Sequence, residues 1–435
     1  MGAAHRHQVD GGATALIKAE TSGRRDAEIA LADEVAGIGN YYKNMQGQQA
    51  SFEGSDILAR KAQAFADLKQ WVSADAGRQA LYGAEMARVE SLLAQRQAIA
   101  RTEHLLPYTS PRLLDAARSL YQHAQQRALP DAQRKPGYQA RDDLRFSQSM
   151  ETLQRRYDEQ VDKRLSAHFL AQYLALPAAQ LNQPLLAALG LQAGMNDAAV
   201  KTRLDKVYAG SQLGQQTERM AWLKRDVAAF KASDDAFIKA AVALYAETEE
   251  REARDKEISG QLSQAYSRTM EALIAYKASK QEAVYPDANS TLRVAFGHVQ
   301  GRKGAVDGAD WQAFTTLRGI TAKHTGEGEF NAPAPQLAAI KARQFDKYAV
   351  ASLDSVPVNF LATLDTTGGN SGSPVLNDQA ELVGLLFDGT LDSVIDSWDY
   401  DPKRSRSICL DARYMLWQMK VVDKADRLLR EMNVL

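Results

Sequence analysis

The sequence predicts an α+β protein in which a large all-helical region precedes a smaller antiparallel β region with helices at its C-terminal end. Two observations support this division. From about residue 24 to residue 283 the chain has few prolines and places apolar residues at helical spacing. After residue 284 it changes to short β-prone runs separated by Gly, Pro and Asp turns. We therefore expect a helical domain at 24–283 and a β-rich domain at 284–435.

Within the helical region, helices are predicted over 26–44, 56–73, 76–101, 111–127 and 140–173. A longer helix begins near Ser233, where a capping serine precedes acidic residues and then apolar positions, and it runs to about Lys280. No repeat with a clear fixed period is present, so a solenoid is not indicated.

Within the β-rich region, strands are predicted at 291–296, 356–363, 375–377, 382–387 and 405–410. The single cysteine, Cys409, excludes an intrachain disulfide and a cysteine-based zinc site. Because it lies in an apolar strand pattern, we expect a buried, inert thiol.

Composition excludes several classes of protein. The chain has 435 residues, a formal net charge of −1, 45% hydrophobic and 25% charged residues. The net charge gives no electrostatic reason to expect nucleic acid or an anionic membrane as a partner. No apolar run approaches the roughly 18–20 residues that span a bilayer. Phosphate-loop and metal-binding motifs are absent from the sequence, so a nucleotide or metal enzyme is disfavoured and no cofactor or metal is expected.

The most informative stretch is Gly368–Val375, which has the features of a turn that carries a nucleophilic serine, Ser371. A glycine two residues before the serine permits a tight turn, so the backbone N–H groups of Gly369 and Ser371 can face one developing oxyanion. The alternative is a Gly/Ser-rich hairpin loop without chemistry. The length of the motif and its two flanking strands make that the minority interpretation.

This stretch also resembles a known family. Asp365–Asn377 and Leu382–Gly389 are similar to the bacterial dipeptidyl-peptidase 7 and 11 family of serine exopeptidases. Further matches cover 285–293, 297–301, 356–360, 408–417 and 428–432. The resemblance covers about residues 24–435 and is strongest from Tyr285 onward. It implies a trypsin-like double β-barrel with a helical domain inserted between its halves, of which this chain holds the helical domain and the second barrel.

The resemblance also implies roles for individual residues. Ser371 is the nucleophile and Gly369 supplies an oxyanion N–H group. Asp388 matches the aspartate that binds the substrate α-ammonium group, the alternative being a turn aspartate after a strand. The next position carries an arginine in the type that prefers acidic substrates. Here it is Gly389, which implies an open, uncharged pocket of the dipeptidyl-peptidase 7 type and a preference for hydrophobic residues before the scissile bond.

Two asparagines of the helical region are further candidates. Residues 38–44 resemble the family segment that lends an asparagine to the substrate N-terminus. Asn40 and Asn44 are one helical turn apart and share a face. By its spacing to the nucleophile Asn44 is favoured, with Asn40 second. Two solvated helix asparagines are an equally weighted alternative.

A serine nucleophile needs a general base, and the resemblance places the base and its aspartate in the first barrel. The seven histidines are His5, His7, His104, His123, His168, His298 and His324. None lies in a sequence context like that of the family's catalytic histidine. We therefore name no base and expect the chain alone to be inactive.

The N-terminal residues differ from what the family implies. Members are secreted or periplasmic and would begin with a signal peptide, but the first 13 residues have no apolar core of the kind such peptides need. We expect residues 1–23 to be a disordered or unrelated leader on a chain truncated before the helical domain. The expected partners are oligopeptides with a free N-terminus, and homodimerisation is left open.

Two other functions compete with the exopeptidase. One is an inactive remnant that acts as a helical interaction module, which the missing base favours. The other is a trypsin-like endopeptidase. It is less favoured, because the helical region would cap one end of the cleft and Asp388 suits an amine.

Overall fold

A computed structural model of the chain describes residues 2–285, 291–305 and 308–434. It separates into two compact units. The first combines the residues up to Met45 with Phe65–Glu282, and the second combines Gln46–Ala64 with the chain from Ala283 onward. Residues 46–64 were assigned to the helical domain from their sequence, yet their contacts are with the second unit. Helical periodicity is the same on both sides of this boundary, so the sequence gives no sign of it.

The first unit is helical, with its main core between helices α5 (Ala84–Thr109), α6 (Arg112–Arg127), α8 (Glu159–Leu174) and α13 (Ala236–Ser279). Tyr121, Phe169, Tyr173 and Phe237 are almost fully buried there, together with the leucines of α6. The other helices that lie wholly or partly in this unit are α1 (Gly2–Thr21), α2 (Arg25–Glu53), α3 (Ile57–Ser73), α4 (Ala76–Arg78), α7 (Asp143–Thr152), α9 (Gln183–Leu189), α10 (Asp197–Ala209), α11 (Gln216–Leu223) and α12 (Val227–Lys231).

The start of α13 is set by an aspartate. The side chain of Asp235 accepts the N–H groups of Phe237 and Ile238 at 3.0 and 3.1 Å. Ser233, the cap expected from the sequence, instead accepts the N–H of Asp235 through its hydroxyl. The helix then continues to Ser279, close to the predicted end.

Residues 2–21, expected to be a disordered leader, form helix α1. Ala13 and Ile17 are fully buried, and Ile17 packs in a cluster with Leu31 and Val161. The two residues are four positions apart and therefore share one helix face. Burial of this face accounts for the order that composition alone did not predict.

The described part of the second unit contains one antiparallel sheet of five strands, which are β1 (Phe314–Thr316), β2 (Pro357–Ala362), β3 (Pro374–Leu376), β4 (Leu382–Gly389) and β5 (Ser407–Asp411). Their order in the sheet is β1-β2-β5-β4-β3. Phe360 of β2 and Leu386 of β4 both lie opposite Cys409 of β5, and these side chains form the sheet's core. Cys409 is fully buried, and burial raises the pKa of its thiol to about 12, as an inert thiol requires. The remaining helices are α14 (Leu317–Lys323), α15 (Ala334–Lys341), α16 (Asp396–Asp399), α17 (Ala412–Trp417) and α18 (Asp426–Glu431).

The predicted strand at 291–296 does not form. Its alternating residues Leu292, Val294 and Phe296 are 97%, 81% and 89% exposed. Pairing begins only at Val299, which forms a bridge to Ala362. The pattern of a strand is present, but no described strand pairs with this segment.

The chain is thus α+β, mostly helical with one small antiparallel sheet. That this sheet is half of a trypsin-like double barrel stays a prediction. Within the described ranges, no helix combines the length and apolarity needed to cross a membrane.

Candidate active site

The Ser371 turn is closed by its own asparagine. The Asn370 side chain accepts the N–H of Thr367 at 3.0 Å, and its backbone carbonyl accepts the N–H of Ser373 at 2.9 Å. Gly369 and Gly372 have φ angles of +104° and +87°, a region that favours glycine. The glycines on either side of the serine are therefore required by the backbone of this turn.

Strand β4 fixes the turn in place. The N–H of Gly372 donates to the carbonyl of Leu386 at 2.7 Å, and the N–H of Leu386 donates to the carbonyl of Ser373 at 3.0 Å. The Ser371 hydroxyl is exposed and donates to the carbonyl of Phe387 at 3.4 Å. The nucleophile predicted from sequence therefore lies directly on β4.

The strand is irregular at this point. Its register with β5 shifts between Leu386 and Asp388, so Phe387 is the extra residue of a bulge. Bulges re-aim side chains at strand ends and next to active sites. Here the bulge residue is the one that Ser371 contacts, directly before Asp388, and it reverses the alternation that a regular strand would give Asp388.

The N–H groups of Gly369 and Ser371 have no hydrogen-bond acceptor among the described residues. Both residues are exposed, so these two donors are open to solvent or to a ligand. Two such donors flanking an exposed serine hydroxyl are what an oxyanion hole needs.

Asp388 follows the bulge and is exposed, and its Oδ1 accepts the N–H of Gly389 at 2.8 Å. The other carboxylate oxygen, Oδ2, takes no part in this hydrogen bond. Gly389 is half-buried, and a Cβ added there would lie 2.2 Å from the Ser393 hydroxyl oxygen. The open space expected beside Gly389 is therefore occupied by Ser393, which the sequence did not identify.

A second group of polar side chains links residues on either side of β4 to the start of β5. The Asp396 carboxylate accepts the Ser405 hydroxyl, and its Oδ2 is buried without a partner. Thr366 and Ser407 share a hydrogen bond of 2.6 Å. Nothing in the sequence distinguishes Asp396 from the other aspartates after β4, so only the structure could find it.

No described histidine side chain hydrogen-bonds to Ser371. His123 contacts Asp143 at 3.2 Å, His168 contacts Gln172 at 2.8 Å, and the His324 ring accepts the N–H of Ala332 at 3.1 Å. His298 pairs through its backbone with Thr363. The side chains of His5, His7 and His104 lie outside the described residues.

Asn40 and Asn44 lie on α2, in the first unit, and both are exposed. Their role at the substrate N-terminus stays a prediction. Among the described side chains, no group of three or more His, Cys, Asp or Glu could hold a metal ion.

A family model for Peptidase S46 matches residues 4–434. The chain belongs to the peptidase S46 family. The match begins well before residue 24, so the segment expected to be an unrelated leader is part of the family sequence.

Similar curated proteins include both Asp/Glu-specific dipeptidyl-peptidases and proteins named dipeptidyl-peptidase 7. An Asp/Glu-specific dipeptidyl-peptidase of Shewanella putrefaciens is 36% identical over 438 residues, covering 95% of this chain and 58% of the relative. A dipeptidyl-peptidase 7 of Phocaeicola vulgatus is 25% identical over 434 residues, covering 96% of this chain and 57% of the relative. This S46 chain therefore spans less than two thirds of the length of these relatives.

Solved structures share the fold. The crystal structure of Porphyromonas endodontalis DPP11 in complex with the dipeptide Arg-Glu matches with a TM-score of 0.75 at 22% identity. The match covers 100% of this chain and 60% of that one. A second structure of the same protein matches with a TM-score of 0.73 at 23% identity, covering 98% and 60%.

Proposed function

We propose that this chain supplies the nucleophile and the amine-binding carboxylate of a serine-type dipeptidyl aminopeptidase. The observation that carries the proposal is the placement of the Ser371 hydroxyl on the carbonyl of Phe387, one residue before Asp388. The S46 relatives named as dipeptidyl-peptidases support it. The substrates are oligopeptides with a free N-terminus.

In this mechanism Asp388 binds the substrate α-ammonium group, which sets the second peptide bond against Ser371. The Ser371 oxygen attacks that carbonyl and forms an ester with the dipeptide while the remaining peptide leaves as an amine. The N–H groups of Gly369 and Ser371 stabilise the oxyanion of the intermediate. Asn44 or Asn40 contributes a further contact to the ammonium group.

We place the general base outside this chain. In the described structure the Ser371 hydroxyl donates to a backbone carbonyl, which cannot accept a proton from it for catalysis. A base in the part of the family length that this chain does not cover would fulfil the role.

The preference for hydrophobic residues before the scissile bond rests on Gly389, because position 389 adds no charge to the pocket. Relatives of both the dipeptidyl-peptidase 7 and the Asp/Glu-specific name match this chain, so their names do not decide between the two preferences. We also propose that the protein acts in the periplasm or outside the cell, as its resemblance to the family implies.

The test is Ser371→Ala in this chain extended by the part of the family length that it does not cover. Loss of the nucleophile should reduce release of dipeptides from fluorogenic substrates by at least about 10⁴-fold. Ser373→Ala is the matched control, since Ser373 lies in the same turn and contributes backbone hydrogen bonds. Turnover of Ser371→Ala well above a trace would remove Ser371 from the mechanism.

A further inference from the structure

A large cleft in the first unit is lined by arginines from three helices. It has a volume of about 1090 Å³ and carries Arg96 from α5, Arg118 from α6 and Arg251 from α13. Arg118 also lines a neighbouring cleft of about 470 Å³. Clefts of this size hold small ligands and peptide segments in other proteins.

Arg118 is a half-buried cation with unused hydrogen-bonding capacity. Its Nε is buried and has no hydrogen-bond partner, and its Nη1 lies 3.7 Å from the Asp115 carboxylate. Asp115 already accepts the Ser110 hydroxyl at 2.5 Å. Burial lowers the pKa of Arg118, the Asp115 and Glu247 carboxylates oppose this, and the charge of Arg251 lowers it further. Two like charges therefore lie close together in this cleft.

Arg251 is half-buried and has no ion-pair partner among the side chains that the structure describes. Glu247, one turn earlier on the same helix, accepts the amide of Asn182 at 2.8 Å instead. By contrast Lys135, in the neighbouring cleft, has Glu249 and Glu252 at 2.8 and 2.7 Å. Lys135 is thus paired with two carboxylates, whereas Arg251 has no described carboxylate within ion-pair distance.

Paired guanidinium groups with unused donors are suited to a planar oxyanion. Asp115, Glu247 and Asp255 line the same cleft and would repel a phosphate dianion more strongly than a carboxylate monoanion. Ile99, Leu185 and Ile258 add apolar walls for a side chain.

We propose that this cleft binds a short peptide through its C-terminal carboxylate, which lies between Arg118 and Arg251. The apolar walls contact the last side chain of the peptide. Such peptides are products of the proposed function, but binding here requires neither Ser371 nor hydrolysis.

Calorimetric titration of the full chain with the dipeptide Ala-Leu tests the proposal. The titration uses an Asp388→Ala background, which removes the proposed amine-binding carboxylate. Loss of a charge-assisted contact corresponds to about tenfold or more in affinity, so we expect Ala-Leu amide to bind at least about tenfold more weakly than Ala-Leu. Inorganic phosphate should not compete.

Arg118→Gln and Arg251→Gln should each weaken Ala-Leu binding by about tenfold or more. Arg268→Gln is the matched control, because Arg268 is also on α13 but pairs with Glu271 at 2.7 Å. Circular dichroism reports folding. If Arg118→Gln unfolds, Arg251→Gln decides, since Arg251 is not fully buried and makes no ion pair in the described structure.

Equal binding of the dipeptide and its amide would overturn the proposal, as would competition by phosphate, wild-type affinity in Arg251→Gln, or no binding of Ala-Leu at millimolar concentration. Any of these results alongside Ser371-dependent hydrolysis by the extended protein would reject the cleft site alone. Carboxylate-dependent binding without Ser371-dependent hydrolysis by the extended protein would reject the proposed function alone.

Discussion

The Asp388 carboxylate is oriented before substrate binds, because one oxygen already accepts the N–H of Gly389. We expect Asp388→Ala in the extended protein to lower kcat/KM by at least about 30-fold for every substrate with a free N-terminus, since the lost contact is to the ammonium group. The measurement compares substrates with Leu or Asp at the second position. Asp378→Ala, in the exposed turn between β3 and β4, is the control. An effect confined to one substrate would assign Asp388 to the side-chain pocket instead.

Gly389 can be tested for its effect on specificity only together with Ser393. A Cβ at position 389 would lie 2.2 Å from the Ser393 hydroxyl oxygen but 3.4 Å from its Cβ. We expect Gly389→Arg alone to impair both substrates, because the side chain displaces Ser393. In a Ser393→Ala background the arginine should raise the kcat/KM ratio of acidic over hydrophobic substrates by about tenfold or more.

Ser393→Ala alone serves as the control for that ratio. It removes a hydrogen bond from the Ser393 hydroxyl to the carbonyl of Thr390 at 2.7 Å without adding charge. Equal losses on acidic and hydrophobic substrates in the double variant would show that position 389 does not set the preference.

At the residue scale, the sequence predicted the residues that the turn itself specifies. Ser371 and the glycines belong to one short motif, and their conformation follows from it. Ser393 and Asp396 could not be found this way. Their proximity to Gly389 and to Ser405 depends on how the chain after β4 folds back onto the start of β5.

At the element scale, the existence of β4 was predicted but its irregularity was not. The strand pattern ended at Phe387, whereas β4 continues to Gly389 through a register shift. A bulge is a property of a strand and its partner together, and β5 lies about 20 residues further along the chain. Alternation within β4 therefore could not indicate where Asp388 points.

The segment at 291–296 was predicted to be a strand, but no strand forms there. Its alternating apolar pattern is that of a strand, but no strand forms because pairing requires a partner as well as a pattern. Local sequence determines which face of a strand is apolar, and tertiary structure determines whether the strand exists.

Asp396, the first residue of α16, makes the stability of the second unit depend on pH. Burial raises the pKa of Asp396 to about 7, with Asp365 and Asp401 adding to the rise, and the Ser405 hydrogen bond and Arg404 opposing it. The folded protein therefore retains a proton that the unfolded chain has lost. The resulting stabilisation is fully present below the unfolded pKa and is lost as the pH rises through about 7.

We expect Asp396→Asn to remove this dependence while keeping an acceptor for Ser405. Relative to wild type, its free energy of unfolding should rise by about 3 kcal/mol between pH 5 and pH 8. Urea denaturation at several pH values measures the difference, with Asp378→Asn as the exposed control. A difference between Asp396→Asn and wild type that stays constant with pH would show that Asp396 does not titrate in this range.

For the whole molecule, family motifs were a better guide than secondary-structure patterns. Long motifs from Tyr285 onward carried the resemblance to the dipeptidyl-peptidase 7 and 11 family, and the Peptidase S46 family model extends the match to residues 4–434. The weak periodicity before residue 24 concealed helix α1, whose burial depends on contacts with Leu31 and Val161. Asn40 and Asn44 were chosen because residues 38–44 loosely resemble a family segment. Whether either contacts the substrate N-terminus depends on the structure of the substrate-bound protein.

The 435-residue chain by itself lacks an identified general base. It contains the serine, two unpaired backbone donors and Asp388, but no described histidine contacts the serine. General-base assistance contributes about 10²–10⁴ in rate, and a serine without it is a poor nucleophile near neutral pH. We therefore expect no measurable hydrolysis of dipeptidyl fluorogenic substrates by the purified chain. A rate that disappears in Ser371→Ala would show that a group within this chain acts as the base. A rate that persists in Ser371→Ala would come from a different site or a contaminant, and would leave the expectation of an inactive serine intact.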